Sequence, residues 1–185
     1  GPSLLERQPA SGLSLRGRTV PAFIAIEGPI GVGKTTLARK IAETFEYDLL
    51  LEEAEMNPFL ERFYQNREQT ALATQLFFLF QRVQKITDIK QRDMFESTRV
   101  TDFILEKDPL FARVNLEPAE YALYDKVYEK MHVEAPTPDL VIYLQANPER
   151  LLERIGKRGI DAEQSIDRSY LEQLNEVYSE FFLYY

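Results

Sequence analysis

Cysteine is absent from the 185 residues of this chain, and histidine occurs once. Without thiols the protein can form neither a disulfide framework nor a zinc site ligated by cysteine. This composition is compatible with a reducing compartment, and we expect a cytoplasmic protein. Because 44% of the residues are apolar, the chain is long and apolar enough for one globular domain with a sizeable core.

Basic residues are also fewer than acidic residues. The chain has 22 lysines and arginines against 30 aspartates and glutamates, which gives a net charge of -8. A surface that binds nucleic acid in general needs an excess of basic residues, so no nucleic-acid partner is predicted. An acidic protein can still bind an anion where its basic residues converge. No run approaches roughly eighteen apolar residues, so no membrane span is predicted either.

Residues 1–20 lack any apolar core segment and carry Gly, Ser, Pro and Arg. We interpret them as a flexible leader, and the Gly-Pro-Ser at its start resembles the remnant of an expression tag. An Arg-rich and Ser-rich organelle presequence is the alternative. The folded domain is predicted to cover residues 21–185.

Apolar segments alternate with segments of helical spacing along the domain. The strands are predicted at residues 22–27, 47–53, 99–105 and 138–146. Helices are predicted at residues 35–45, from 57 onward, and at 70–90, 118–131, 147–158 and 169–185. This alternation predicts an α/β fold with a central parallel sheet and helices on both faces. Ligands of such folds bind beyond the carboxyl ends of the strands, so the residues that follow each strand are the candidates for a site.

The first strand is followed by G-P-I-G-V-G-K-T, residues 28–35. This glycine-rich pattern between a strand and a helix predicts a P-loop. The backbone N–H groups of such a loop surround a phosphate at the positive end of the helix. Lys34 is predicted to reach the β- and γ-phosphates, and Thr35 to hold Mg²⁺. A glycine turn between two core elements is the alternative. The predicted phosphate-binding residues are Gly28, Gly31, Gly33, Lys34, Thr35 and Thr36.

Several further motifs follow in order and give the chain a family resemblance. They are IAIEGPIGVGKTT, LEEAEMNPFLERFY, QLFFLFQR, RVTDFILEKDPLFA and ERIGKRGIDAEQ. Together they resemble the deoxynucleoside kinases, above all the bacterial branch, over about residues 23–185. The resemblance implies the three-layer P-loop kinase fold with a small lid segment, usually as a homodimer. It also implies transfer of the γ-phosphate of ATP, with Mg²⁺, to the 5′-hydroxyl of a deoxynucleoside. Members of the family continue past the equivalent of Tyr185 into a strand and a helix that carry the adenine contacts.

Glu52 is the predicted catalytic base. It lies at the end of the second predicted strand, which we expect beside the P-loop strand. Successive side chains of a strand point to opposite faces, so only one of Glu52 and Glu53 can face the cleft. The resemblance selects Glu52, because the base of the family lies five residues before the Asn of an Asn-Pro pair, here Asn57. In the family the next residue is usually proline. The alternative is that Glu52, Glu53 and Glu55 form a solvated acidic stretch.

Gln75, Phe78 and Arg82 share one face of the long helix, and two of them are polar within a very apolar stretch. The amide of Gln75 can donate and accept, which suits a nucleobase edge. The resemblance places the base on Gln75, with Arg82 and Asp108 as a coupled pair behind it. The alternative is a solvent-facing stripe.

Two further groups of residues have roles that the resemblance implies. Tyr64 and Glu163 would bind the sugar 3′-hydroxyl, although Tyr64 could simply pack on its helix. Arg154 and Arg158 share a helix face with Lys157 and would close as a lid on the triphosphate. Basic residues in a last helical turn also simply favour the helix dipole.

The third strand departs from the family pattern, which ends in a carboxylate, arginine and serine. Here the residues are Asp102, Phe103 and Ile104, so Asp102 can hold Mg²⁺, partly through water, but the arginine is absent. Lys107 or Arg99 are the charges that could replace it. A thymidylate-type nucleoside monophosphate kinase and a non-catalytic nucleotide-binding subunit are the alternative functions. Which base is preferred stays open, with a slight preference for purines.

Overall fold

The protein is described here by a computed structural model that covers residues 22–91, 98–131 and 136–185, with the side chains of residues 89–91 excepted. The predicted leader lies outside the described residues. Within them, no helix combines the length and the apolar character that crossing a membrane requires.

The described strands form one parallel sheet in the order β2-β3-β1-β4. The prediction that β2 lies beside β1 is therefore wrong, because the connection through α1 skips one position and β3 later fills it. All strands run the same way, so their carboxyl ends share one edge of the sheet. The strands are β1 (Phe23–Glu27), β2 (Asp48–Leu50), β3 (Arg99–Thr101) and β4 (Leu140–Tyr143).

The sheet is covered on both faces, as the alternation of strands and helices predicted. Phe23 and Ala25 of β1 belong to the larger core, whereas Ile24 and Ile26 face a second core with Ala38 and Ala42 of the first helix. Successive side chains of a strand point to opposite faces, so this split places a layer of helices on each side. The arrangement is the three-layer α/β architecture.

Seven helices surround the sheet in the described part of the chain. They are α1 (Lys34–Phe45), α2 (Leu60–Gln65), α3 (Arg67–Gln91), α4 (Lys107–Asn115), α5 (Pro118–Met131), α6 (Pro148–Arg158) and α7 (Arg168–Leu183). Short 3₁₀ turns lie at Ala54–Met56 and Asp161–Glu163.

Three predicted strands are too long, and α4 was not predicted. β4, predicted at residues 138–146, covers only Leu140–Tyr143. β3 ends at Thr101 and not at Leu105, yet Phe103, Ile104 and Leu105 are buried beyond the end of the sheet. Hydrophobicity alone cannot separate such a buried segment from a strand. β2 likewise ends at Leu50 rather than at residue 53.

Candidate active site

The P-loop connects β1 to α1 and has the backbone that its glycines predict. Gly31 and Gly33 have φ values of 85° and 101°, a left-handed region that other residues avoid. A Cβ on Gly31 would lie 3.0 Å from Cγ1 of Ile155, so α6 packs directly against the loop. Lys34 donates from Nζ to the carbonyl oxygen of Gly28 at 3.1 Å. The loop is thus closed on itself by the lysine expected to reach the phosphates.

Asp102 links the carboxyl ends of two strands to the P-loop helix. Its Oδ2 accepts a 2.6 Å hydrogen bond from Oγ1 of Thr35, and its Oδ1 accepts one of 2.7 Å from the backbone N–H of Glu52. The ends of β2 and β3 and the start of α1 therefore meet at one buried carboxylate.

Thr35 and Asp102 supply the donor types that Mg²⁺ prefers, a hydroxyl and a carboxylate oxygen. Among the described residues there is no group of three or more His, Cys, Asp and Glu side chains that could hold a metal ion. Mg²⁺ in kinases usually keeps several waters and is bound by one or two carboxylates together with substrate phosphates. The residues present fit that mode of binding.

Glu52 and Glu53 have opposite environments. Glu52 is buried, whereas Glu53 is exposed and forms a 2.7 Å ion pair with Lys85. Both follow the end of β2, so the difference arises from a turn and not from strand alternation: Glu53 has a left-handed backbone with φ of 57°. The interpretation as a solvated acidic stretch therefore applies to Glu53 and to Glu55, which is also exposed, but not to Glu52.

Two cations hold the carboxylate of Glu52, one on each oxygen. Arg82 donates from Nε to Oε1 at 2.7 Å and also from Nη2, and Lys107 donates from Nζ to Oε2 at 3.1 Å. Burial would raise the pKa of Glu52, but Arg82, Lys107 and Lys34 outweigh it and hold this pKa well below its ordinary value. Glu52 is therefore ionised at neutral pH.

Arg82 connects Glu52 to Asp108. Its Nη1 donates to Oδ1 of Asp108, whose Oδ2 accepts from the hydroxyl of Tyr124. Burial raises the pKa of Asp108 in spite of Arg82 and the Tyr124 hydroxyl. The pairing of Arg82 with Asp108 matches what the resemblance implied, whereas the second partner, Glu52, was not foreseen.

Gln75 lies on the same face of α3 and is buried with only 2% of its surface exposed. Its Oε1 accepts from Nδ2 of Asn115 at 3.3 Å, while its Nε2 is buried and has no hydrogen-bond partner within the protein. Phe78 lies below Arg82, with the guanidinium carbon 4.6 Å from the ring centroid. The solvent-stripe alternative is thus wrong for this face, and Gln75 has a donor that a ligand could use.

The basic residues of α6 do not act as one group. Arg154 donates from Nη1 to the carbonyl oxygen of Val32 in the P-loop at 3.1 Å. Arg158 is instead paired with both oxygens of Glu163, and Lys157 is exposed beside Glu153. Of these three basic residues, Arg154 is therefore the one whose side chain contacts the phosphate-binding loop.

Tyr64 is buried on α2 near the Arg158–Glu163 pair. Burial raises the pKa of Tyr64 well above its ordinary value, and Tyr170 and Glu163 raise it further. The two residues predicted to bind the sugar therefore lie close enough to influence each other.

Thr36 is exposed on the first turn of α1, beyond Lys34 and Thr35.

Sequence reasoning missed Glu27 as a site residue. This fully buried carboxylate ends β1, and its Oε1 accepts from the backbone N–H of Gly28 at 2.9 Å and from the hydroxyl of Tyr178 at 3.1 Å. Its Oε2 accepts from the N–H of Ile104 at 3.0 Å and lies 3.2 Å from Nζ of Lys107. The available signal was a carboxylate at the carboxyl end of an apolar strand, directly before the phosphate loop.

Of the two proposed replacements for the absent arginine, only Lys107 reaches this site. Arg99 begins β3 and pairs in register with Phe23 and Asp48, at the amino ends of their strands. It therefore lies at the opposite edge of the sheet from the P-loop. Phe103 itself is fully buried and carries no charge.

Comparison with known proteins identifies the family. The model of a family described as deoxynucleoside kinase matches residues 24–185. The chain is 39% identical over 153 residues to a deoxyguanosine kinase of Bacillus subtilis, covering 82% of this chain and 74% of the relative. It is 32% identical over 167 residues to a deoxyadenosine/deoxycytidine kinase of the same organism, covering 85% and 75% of the two chains.

Solved structures agree with the sequence relatives. A deoxyadenosine kinase from M. mycoides with bound dATP superposes with a TM-score of 0.78 at 30% identity, covering 88% of this chain and 84% of the other. The same enzyme with the product dCMP and a flexible dCDP gives a TM-score of 0.77 at 31% identity, covering 86% and 83%. With its P-loop, its parallel sheet and these matches over most of its length, the chain belongs to the deoxynucleoside kinase family.

Proposed function

We propose that this protein transfers the γ-phosphate of ATP to the 5′-hydroxyl of a deoxynucleoside. The observation that carries the proposal is the buried, ionised carboxylate of Glu52 next to the P-loop helix. The backbone N–H of Glu52 donates to Asp102 at 2.7 Å, and Asp102 also accepts from Oγ1 of Thr35 in that helix at 2.6 Å. A phosphoryl acceptor that contacts Glu52 would face the end of the P-loop, where a γ-phosphate would lie. Positioning and charge neutralisation are the main demands of this reaction.

On the donor side, the backbone of the P-loop and Lys34 would bind the triphosphate. Gly28, Gly31 and Gly33 shape the loop, and the first turn of α1, with Thr35 and Thr36, contributes its N–H groups and its dipole. Thr35 and Asp102 would hold Mg²⁺, which supplies charge neutralisation to the phosphates when bound. Arg154, already at the loop, would add a positive charge above it.

On the acceptor side, Glu52 would accept the hydrogen bond of the 5′-hydroxyl and then its proton. Its low pKa makes it a weak base, so its contribution lies mainly in orienting the hydroxyl for a loose transition state in which the proton leaves late. Tyr64 and Glu163 would bind the 3′-hydroxyl. Arg158 must leave Glu163 to reach the phosphates, so closure of the lid would free both side chains.

The base would lie between Gln75 and Phe78, with Arg82 and Asp108 behind them. Because Asn115 occupies Oε1 of Gln75, the free Nε2 group offers a donor to a ring nitrogen or carbonyl of the base. We propose a purine substrate, a choice that the similarity to a deoxyguanosine kinase supports.

The alternative functions are not favoured. A nucleoside monophosphate kinase needs additional basic groups for the phosphate of its substrate, and Phe103 stands where such a group would help. A non-catalytic subunit would not require Lys34, Thr35, Glu52 and Asp102 together. The two curated relatives described above are both deoxynucleoside kinases.

The test is an assay of the purified protein with labelled ATP and Mg²⁺ against the four deoxynucleosides and their monophosphates. We expect label in the deoxynucleoside monophosphates, most rapidly with a purine. Label only in diphosphates would support the monophosphate kinase instead, and the absence of transfer to any acceptor would support a binding subunit.

We further propose that the protein forms a homodimer through helices, as the resemblance implies. Phe80 on α3 and Leu123 on α5 are large apolar side chains with 48% and 51% of their surface exposed, and they are the first candidates for the interface. Sedimentation equilibrium should give twice the chain mass, and a Phe80→Glu variant should shift the mass towards the monomer. A location in the cytoplasm is proposed from the cysteine-free composition alone.

A further inference from the structure

Lys107 is a fully buried lysine, with 1% of its surface exposed, at the first residue of α4. Lysine is almost never fully buried unless it is paired, and a cation at a helix N-terminus is disfavoured by the helix dipole. Both effects oppose this placement, so the contacts of the ammonium group must compensate for them. Those contacts are Oε2 of Glu27 at 3.2 Å and Oε2 of Glu52 at 3.1 Å.

The two carboxylates that Lys107 joins belong to different halves of the site. Glu27 accepts from the N–H of Gly28, the first residue of the P-loop, through its other oxygen. Glu52 is the carboxylate assigned to the acceptor hydroxyl, and Arg82 holds its other oxygen. A single ammonium group therefore connects the start of the phosphate loop to the acceptor side.

We propose that Lys107 is a positioning residue that bridges Glu27 and Glu52 and thereby sets the Glu52 carboxylate against the phosphate loop. This role rests on the proposed function of Glu52 as the group that orients the acceptor. Without the bridge, Glu52 keeps only the Arg82 contact on Oε1, and its free Oε2 can turn away from the position that an in-line attack requires. A displacement of about 1 Å in such a group costs on the order of 10²-fold in rate.

A simple Lys107→Met variant would leave Glu27 and Glu52 buried and facing each other, and could unfold the protein. The informative variant is therefore Glu27→Gln with Lys107→Met, which removes one charge of each sign. Glu27→Gln alone is its reference, since the two variants differ only at Lys107. Lys107→Arg keeps the charge and tests rescue. Lys85→Met is the matched control, because Lys85 pairs with the exposed Glu53 outside the site.

Thermal unfolding is measured for each protein, together with kcat and KM for ATP and the deoxynucleoside. We expect the double variant to be folded, with kcat about 10²-fold below that of Glu27→Gln and both KM values within about threefold of it. Lys107→Arg should keep a larger share of the wild-type kcat than the double variant keeps, and Lys85→Met should keep the wild-type kcat.

A folded double variant whose kcat equals that of Glu27→Gln overturns the proposal, even if its unfolding temperature is lower, because Lys107 would then be only structural. A loss confined to KM also overturns it. Failure of the proposed function is a different result, since in that case the wild-type protein itself transfers no phosphate to any deoxynucleoside.

Discussion

At the scale of single residues, the site is a row of buried groups in which positive and negative charges alternate. Each carboxylate touches at least one cation, and each cation touches two carboxylates. Removal of one member takes a partner from each of its neighbours, and a buried charge that loses its last partner costs more than the net contribution of the pair. This charge row consists of Glu27, Lys107, Glu52, Arg82 and Asp108.

Glu52→Gln should lower turnover by about 10²-fold or more, with little change in nucleoside affinity, because the amide keeps the shape but lacks the negative charge that orients the 5′-hydroxyl and accepts its proton. Glu53→Gln is the matched control one residue along the chain, and it should keep the wild-type kcat. Steady-state kinetics of the two variants decide the point. A lower kcat in Glu53→Gln together with an unchanged kcat in Glu52→Gln would mean that the acceptor binds on the other side of the turn.

Arg82→Ala and Asp108→Ala should show non-additive losses of nucleoside affinity. Arg82→Ala removes the cation partner of Asp108 and one of the two cations that hold Glu52, whereas the double variant has no Asp108 carboxylate left to be unpaired, so the double loss should be smaller than the sum. A buried group left without its partner costs about 1–3 kcal/mol. Calorimetric titration of the four proteins of this cycle measures the coupling, with ATP affinity as the control. Additive losses would mean that Arg82 and Asp108 do not interact in nucleoside binding.

At the scale of elements, the P-loop depends on α6 for its shape. Ile155 and Leu151 approach Gly31 so closely that a Cβ there would lie 3.0 Å and 3.2 Å from their atoms. The same helix carries Arg154 to the loop. A movement of α6 would therefore change the phosphate loop and its basic neighbour together.

Gly31→Ala should weaken ATP binding, because the residue has φ of 85° and its new methyl group would meet α6. Gly156→Ala is the matched control: this glycine is inside α6, has nothing within 4 Å of an added Cβ, and should gain about 0.5–1 kcal/mol of stability. Nucleotide titrations and thermal unfolding of both variants test this. Equal ATP affinities would show that the loop tolerates the displacement.

The elements differ in how far the sequence could predict them. The P-loop, α5 and α6 were predicted closely, because glycine spacing, an Asn-Pro start and a terminal Gly159 are local signals. The order of the strands was not predicted, because no residue of β2 indicates that β3 lies between β2 and β1. Glu27 and the contact of Lys107 with Glu52 were not predicted for the same reason: the partners of Glu27 and Lys107 are 77 and 55 residues away, at Ile104 and Glu52.

At the scale of the whole molecule, the charge row couples folding to acidity. The folded-state pKa of Glu52 lies below its unfolded value, so its stabilising contribution is present above the unfolded pKa and is lost as pH falls through and below that value. Asp108 has a raised pKa and acts in the opposite direction, with its contribution lost as pH rises. The contribution of Glu52 to stability changes with pH below the ordinary pKa of its carboxyl group, and that of Asp108 changes above its own ordinary pKa.

Glu52→Gln should therefore remove part of the acid sensitivity of the protein. Wild-type stability is expected to fall below about pH 4.3, the ordinary pKa of glutamate, while the variant should fall less steeply there. Thermal unfolding temperatures between neutral and acidic pH provide the measurement. If the unfolding temperatures of the two proteins fell in parallel with pH, the pKa of Glu52 would be the same in the folded and the unfolded chain.

The left-handed turn at Glu53 also restricts how this position can vary during evolution. With φ of 57°, the residue cannot become proline, whose ring fixes φ near -65°, and a β-branched residue there would be strained. Glycine, asparagine and aspartate remain accessible substitutions. A relative with proline at this position would therefore have to turn the chain differently, and an exchange of Glu53 for proline in this protein would disturb Glu52 without changing the charge row.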